Sequence, residues 1–408
     1  MLTPPTFGAA PSVVELLVPE DDDPALQPEV SIVVPALNEQ ITIGEFVDWC
    51  KEGLAKANVR GEILIIDSSL DQTPLIALQH GARVVRSPKR GLGRAYIDAM
   101  PFIRGQLIIM GDCDLTYDFR KVSDFVDAYR KGSEFIMGSR FLGSIEPDAM
   151  PKLHRYFGTP LTTWIMNSIY HTRFTDIHCG MRGLTKDAFE RIDLRSQSWE
   201  YASEMVLKAS RLELKTVEVP VSFYKDREGR LSHLKRGGFW TPWSAGWINL
   251  KVMLVHTPDS FLLKPGFVLL ILASLLTTSL AGGGYSVGPV GLDLHWMLLS
   301  MTLAVLGYGS FQIGMLARLH HQLRMGVAMA FSKAYTYDRG MIAAGGLTLI
   351  GLVLDARLLV QYVSSGYRLQ DISYYGVFGL FLIIMGFQTF GFTLLIEMMK
   401  RMSRISAS

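Results

Sequence analysis

The sequence has few cysteines, little excess charge and no glycine-rich dinucleotide fingerprint, and each shortage excludes a class of protein. Three cysteines among 408 residues, Cys50, Cys113 and Cys179, are an odd number without a C-x-x-C pair. That argues against a disulfide framework or a thiolate zinc site and fits a reduced compartment. Forty Lys and Arg against 38 Asp and Glu leave a net charge of +2. A nucleic-acid binder would need a dominant basic stripe, so no nucleic acid is expected as a partner. No G-x-G-x-x-G follows the first β-branched run, which removes the Rossmann dinucleotide site. Gly91-Leu92-Gly93 comes later and lacks the final glycine; it reads either as a turn before a helix or as a loop closing over a donor. What the chain has in excess is apolar surface: 49% hydrophobic residues against 19% charged call for a bilayer or an unusually large core.

The excess lies after Pro265, in four stretches at 267–285, 296–316, 341–360 and 376–399. Each is near the ~20 residues that cross a hydrocarbon core. The third carries Asp355 and Arg357 close to its end, where opposite charges cost less than a charge at the centre. Arg318, Arg324, Lys333 and Arg339 fall in the second connection, Lys400, Arg401 and Arg404 follow the fourth stretch, and 281–295 has no Lys or Arg. The positive-inside rule therefore predicts a multi-pass integral membrane protein with its N-terminal part and C-terminus in the cytoplasm. Residues 1–29 are Pro-rich with the acidic run Glu20-Asp21-Asp22-Asp23, the opposite of a signal peptide, and are expected to form a disordered leader. Trp240, Trp243, Trp247, Leu250 and Leu254 alternate threes and fours. An amphipathic helix in the membrane interface is expected at 236–264, with a helix packed on the soluble domain as the alternative.

Upstream, strand-like runs at 30–37, 62–67, 82–86, 106–111 and 134–138 alternate with helical spacing at 41–57, from about Gly93, and around 122–129. This predicts an α/β domain with a mostly parallel sheet covered on both faces and its ligands beyond the carboxyl ends of the strands. Asp67-Ser68-Ser69 follows the second strand, where a carboxylate can accept from a ribose hydroxyl or a base amine; Asp71 reads instead as a helix cap. Gly111-Asp112-Cys113-Asp114 follows the fourth. Two carboxylates one residue apart repel unless one is protonated or a cation lies between them, and Mg2+ or Mn2+ completed by substrate phosphates meets that need. His178 reads as a hydrogen-bonded structural residue or a metal ligand. Glu200 and Glu204, one turn apart, read as a polar face, with Glu204 also a candidate sugar contact.

Taken in order, Pro35-Ala36-Leu37-Asn38-Glu39, Asp67, Arg90-Gly91-Leu92-Gly93, Asp112-Cys113-Asp114, Gly138-Ser139-Arg140 and Asp176-Ile177-His178-Cys179-Gly180-Met181-Arg182 resemble glycosyltransferase family 2 over about 30–235. The likeness is greatest to its polyprenyl-phosphate branch, which is dolichyl-phosphate mannose synthase-like. The resemblance implies a GT-A nucleotide-diphospho-sugar transferase fold at 30–235 with C-terminal transmembrane helices at 265–408. It also implies a donor of the UDP-glucose or GDP-mannose type, a divalent metal, and inverting transfer of a hexose to polyprenyl (undecaprenyl or dolichyl) phosphate at the cytosolic face. Carried over by position, Pro35, Leu37, Glu39 and Asp67 contact the nucleoside. Asp112 and Asp114 hold metal and diphosphate, Arg140 and Arg155 face the acceptor phosphate, Asp176 lies beside the reaction centre, and Arg230 approaches phosphates on a closing loop.

The sequence departs from the family where Ser68 follows Asp67 in place of a second aspartate. It also lacks the Q-x-x-R-W of processive polysaccharide synthases, which implies a single transfer per encounter. An anionic acceptor needs arginine forks more than a strong base. Two other readings stay open: glycosylation of a neutral lipid hydroxyl with Asp176 as base, and a nucleotide-binding membrane scaffold or translocator without catalysis. For the membrane helices, lipid binding, homo-oligomer contacts and product passage are equally open.

Overall fold

The computed structural model describes residues 11–25, 27–170, 172–198, 200–227, 229, 259–320, 331, 334–366 and 373–405. The chain divides into two compact units, Met1–His256 and Thr257–Ser408.

The first unit is built on eight strands, β1 (Glu15–Leu17), β2 (Val30–Ala36), β3 (Gly61–Asp67), β4 (Arg83–Arg86), β5 (Leu107–Met110), β6 (Phe135–Ile145), β7 (Arg182–Thr185) and β8 (Thr216–Phe223). They form one sheet in the order β1-β4-β3-β2-β5-β7-β6-β8. Between them run α1 (Ile43–Lys56), α2 (Thr73–Gln79), α3 (Leu92–Ala99), α4 (Ser123–Arg130), α5 (Thr159–Tyr170), α6 (Lys186–Ile192) and α7 (Tyr201–Arg211). β2 lies between β3 and β5, parallel to both. It is buried at every position but Pro35, as a β-branched run covered on both faces should be. The β2–β5 pairing ends at Val33 and Met110, so Pro35 falls beyond it, where a missing ladder donor matters least. On α1, Phe46, Val47, Cys50 and Leu54 recur at threes and fours and are buried against the sheet; each large apolar side chain so buried contributes roughly 1.5–3 kcal/mol.

Two features depart from the expected pattern. β7 runs antiparallel between β5 and β6; at four residues, Arg-Gly-Leu-Thr is too short and too polar to read as a strand from the sequence. The expected disordered leader is partly ordered: β1 pairs antiparallel with β4, and Asp22 accepts a fork from Arg104 at 2.9 and 3.1 Å. β4 would otherwise end the sheet with an open edge, and covering that edge orders the segment.

The second unit holds α8 (Lys264–Leu280), α9 (Leu294–His320), α10 (Tyr337–Ser364) and α11 (Tyr374–Ile405), with the hairpin β9 (Tyr285–Val287) and β10 (Val290–Leu292) after α8. Four segments are long and apolar enough to cross a membrane: Asp259–Leu280, Leu294–Arg318, Tyr337–Ser364 and Tyr374–Lys400. The first ends earlier than its apolar run suggests, because Gly282-Gly283-Gly284 follows and Gly283 takes a φ of +130°. Small residues line the helix contacts. A methyl group on Gly307 would meet the α8 backbone at 2.6 Å, and one on Gly379 would meet Asp355 Oδ1 at 2.5 Å. Asp355 therefore occupies a protein-lined seam between α10 and α11, the setting in which an intramembrane carboxylate is tolerated. The aromatic helix expected at 236–264 lies, up to 258, outside the described residues.

Candidate active site

The ends of β2 and β3 are laced together. After β2, Asn38 adopts φ +53°, a left-handed conformation that asparagine tolerates. Its amide donates to Ser69 Oγ (2.7 Å) and its side-chain oxygen accepts from the Leu70 amide (3.0 Å). Glu39 is buried; its amide donates to Thr73 Oγ1 (2.8 Å) and its carboxylate accepts from the Thr42 hydroxyl (3.2 Å). Asp71, one residue ahead of the Gln72 cap position of α2, accepts from the Thr73 amide and hydroxyl (3.0 and 2.5 Å). Pro35 and Leu37 are half-buried alongside. Asp67 is fully buried and ion-paired to Arg86 of β4, yet its Oδ1 meets no hydrogen-bond partner among the described residues. Burial raises its pKa against the pull of Ser69 and Arg86. An acceptor left so costs about 1–3 kcal/mol.

At the exit of β5 the buried Cys113 turns inward, with Sγ 3.4 Å from the Pro35 carbonyl, and the flanking Asp112 and Asp114 are half-buried. Leu115 takes φ +63°, turning the chain so that Asp114 Oδ1 accepts from the Thr116 amide (3.0 Å) and hydroxyl (2.6 Å). Asp112 lies against Gly180: a methyl group there would stand 2.7 Å from Asp112 Oδ2. Tyr96, Tyr117 and Tyr201 lie close enough to feel the Asp112 charge. Burial first, and that charge in addition, raises all three, Tyr201 to about 12. They remain neutral phenols. Tyr96 donates to the Gly111 carbonyl (3.3 Å), and Tyr117 accepts from the Gly180 amide (2.9 Å). Among the described residues no trio of His, Cys, Asp and Glu is grouped to cage a metal. An all-oxygen pair such as Asp112 and Asp114 fits a hard divalent ion that takes its other ligands from phosphates.

Facing this pair is the loop from Asp176 to Met181. Asp176 is fully buried and takes the whole fork of Arg140, Nε to Oδ2 at 2.6 Å and Nη2 to Oδ1 at 2.8 Å, as well as the Arg140 amide (3.2 Å). Burial alone would lower Arg140, but the Asp176 carboxylate outweighs it and holds the guanidinium protonated. Arg140 thus points its fork inward at Asp176, and both oxygens of Asp176 are engaged. His178 Nε2 lies 2.8 Å from Thr162 Oγ1 on α5, and burial lowers its pKa to about 4, so it is a neutral structural link. Burial, then Asp176, pushes the Cys179 thiol up to about 12.

Three residues do work the sequence did not disclose. Arg182, fully buried, donates to the carbonyls of Cys179 (3.0 Å), Ala202 (2.5 Å) and Ile177 (3.4 Å), pinning the loop; its place at the end of the Asp176–Arg182 motif was the available signal. Glu204, expected on a polar face, is buried and accepts from the Ser196 amide (2.7 Å) and Lys208 Nζ (2.6 Å). The Gln197 carbonyl, in the stretch so braced, approaches Gly91, and that of Ser196 approaches Gly93, too closely for any side chain. Close backbone approach is thus what Gly91-Leu92-Gly93 provides. Asp98 gathers Arg90 (2.7 Å), Arg94 (2.8 Å) and Ser87 (2.8 Å) behind it. Arg155 lies in the π-helical turn His154–Gly158, 5.6 Å from the Tyr156 ring, and is not among the residues hydrogen-bonded to the Arg140–Asp176 pair. Arg230 lies outside the described residues.

Residues 31–193 match the family described as Glycosyl transferase family 2, and residues 323–400 match the Glycosyltransferase family 2 C-terminal transmembrane region. The chain is 33% identical over 379 residues to the low-salt glycan biosynthesis hexosyltransferase Agl6 of Haloferax volcanii, covering 92% of this chain and 89% of that one. The chain belongs to glycosyltransferase family 2. This family 2 enzyme is also 26% identical to a dolichyl-phosphate hexose transferase of Haloferax volcanii, over 49% of this chain and 85% of that protein. Among solved structures it is similar to glucosyl-3-phosphoglycerate synthase of M. tuberculosis, at 18% identity and TM-score 0.44 over 56% of this chain and 80% of that one. Its mixed sheet is the GT-A arrangement. Its four apolar helices and the matched C-terminal region make it a membrane glycosyltransferase.

Proposed function

We propose that this family 2 enzyme transfers a hexose, with inversion, from a nucleoside-diphosphate sugar to a polyprenyl phosphate at the cytoplasmic face of a membrane. The observation that carries the reading is the meeting of Asp112 with the Asp176–Arg182 loop at Gly180, which joins the β5 carboxylates to the loop expected beside the reaction centre. The names of the Haloferax relatives, a hexosyltransferase of glycan synthesis and a dolichyl-phosphate hexose transferase, support the same class.

On the donor side, the laced loops after β2 and β3 form the rim for the nucleoside, with Pro35, Leu37 and Glu39 on one loop and Asp67 at the other strand end. Asp112 and Asp114 would hold Mg2+ or Mn2+. Such an ion, when bound, offsets the charge that grows on the departing diphosphate. On the acceptor side, Asp176 is saturated by Arg140, so it orients its loop and is not a free base. This favours an acceptor that is already anionic over a neutral hydroxyl. Arg155 and Arg230 are the cations proposed to meet its phosphate, while Arg140 holds Asp176.

The test uses membranes containing the full chain, polyprenyl phosphate, a divalent ion and a panel of labelled nucleotide sugars. Release of nucleoside diphosphate with formation of an acid-labile glycolipid is expected. An acid-stable product would replace this reading with hydroxyl glycosylation, and nucleotide binding without release would replace it with a scaffold.

A further inference from the structure

The membrane unit buries an ion pair where two of its helices meet. The turn Asp259–Leu263, which leads into α8, lies flush on α9: a methyl group on Gly314 would stand 2.8 Å from the Leu263 amide nitrogen. Leu263, Phe311 and Leu316 pack against the buried Met315 and Phe392 beside it. One helical turn beyond Gly314 on the same face, Arg318 reaches Asp259, Nη2 to Oδ2 at 3.1 Å, and is only 6% exposed.

This pair is half made. Arg140 and Asp176 join through two parallel bonds that engage Nε and both carboxylate oxygens. Arg318 and Asp259 share Nη2 and Oδ2 alone; Arg318 Nε and Asp259 Oδ1 are both buried and meet no partner among the described residues. An open donor therefore stands with an open acceptor on two charged groups, where leaving either unfilled is costly. Depth decides what can fill them. The first apolar segment begins at Asp259 and the second ends at Arg318, so the pair lies at the boundary of the hydrocarbon, the level of lipid phosphates. Its surroundings are basic: Lys264 is exposed and has no ion-pair partner among the described residues, and no Asp or Glu falls between Asp293 and Asp338, where Arg318, Arg324 and Lys333 do.

We propose that the open side of the Arg318–Asp259 pair is a headgroup site for a lipid phosphodiester that carries a hydroxyl group. A phosphate oxygen accepts from Arg318 Nε, and the hydroxyl donates to Asp259 Oδ1. Phosphatidylglycerol and a polyprenyl phosphohexose share this chemistry. The site is built from the membrane unit alone and requires no turnover, so it stands or falls apart from the proposed reaction.

Native mass spectra of the full chain, released from micelles doped with equal amounts of phosphatidylglycerol and phosphatidylmethanol, test the proposal. The two phosphodiesters carry the same charge, and only the first has hydroxyl groups. The unsubstituted chain is expected to retain phosphatidylglycerol over phosphatidylmethanol by about ten-fold, the value of one hydrogen bond to a charged group. Arg318→Gln should lose both lipids, whereas Asp259→Ala should keep both and lose the preference; a pair that only braces the helices would not separate the two variants in this way. Equal retention by the unsubstituted chain would mean that water fills the open atoms, and it overturns the proposal whether or not the variants fold. An Arg318→Gln chain that keeps the preference overturns it as well. Competition with a synthetic polyprenyl phosphohexose distinguishes the sources: displacement of phosphatidylglycerol identifies the glycolipid as occupant, and its retention identifies bulk phospholipid.

Discussion

Gly180 and Asp112 are in contact so close that a single methyl group on Gly180 would lie 2.7 Å from Asp112 Oδ2. The glycine is not needed for a left-handed backbone, since its φ is not among the positive ones. It is needed for room. Two segments 68 positions apart in sequence are thereby matched at one carboxylate.

Gly180→Ala is therefore expected to fold, and to lower kcat/KM by about 100-fold, the penalty of displacing a reacting group by roughly an ångström. It should also raise the divalent-ion concentration needed for half-maximal rate. Wild-type turnover at unchanged ion dependence would count against Asp112 as an ion-binding group.

Chelation should abolish transfer, with Mg2+ or Mn2+ restoring it, and Asp114→Asn should abolish transfer with the chain still folded and membrane-bound. Stabilising the leaving group by several kcal/mol corresponds to about three orders of magnitude in rate. Turnover that persists in EDTA would refute the assignment.

The Arg140–Asp176 pair is buried on both sides, so removing one member strands the other. Arg140→Met and Asp176→Leu alone should each cost about 3–5 kcal/mol, and the two together should recover most of the loss. Thermal melts of the two single variants and the double variant test this. Turnover should stay lost in all three, because the loop's orientation depends on the fork.

Acid should loosen the site through His178. Its folded pKa of about 4 lies below the ordinary 6.5, so the unfolded chain binds the proton first. The stability gained by keeping this histidine neutral is complete above pH 6.5 and declines as pH falls toward 4, by about 2 kcal/mol at pH 5. His178→Asn should flatten this part of the Tm-versus-pH curve; an equally steep curve in the variant would assign the acid sensitivity elsewhere.

Read alone, the sequence determined what depends on local chemistry. Val30–Ala36 and Leu107–Met110 are strands because runs rich in β-branched and apolar residues bury both faces, and the four membrane helices follow from length and hydropathy. The carboxylates at 67, 112 and 114 stood out because charge at a strand exit needs a reason. Only the tertiary structure decided which groups meet. That Asp176 is saturated by Arg140, that Glu204 is buried under amides, that Gly91 and Gly93 make room for the 196–197 backbone, and that Glu15–Leu17 closes an edge are all pairings across long sequence distances. Burial and hydrogen-bond demand are satisfied in three dimensions by whichever group the fold brings near, and a one-dimensional pattern carries no record of that partner.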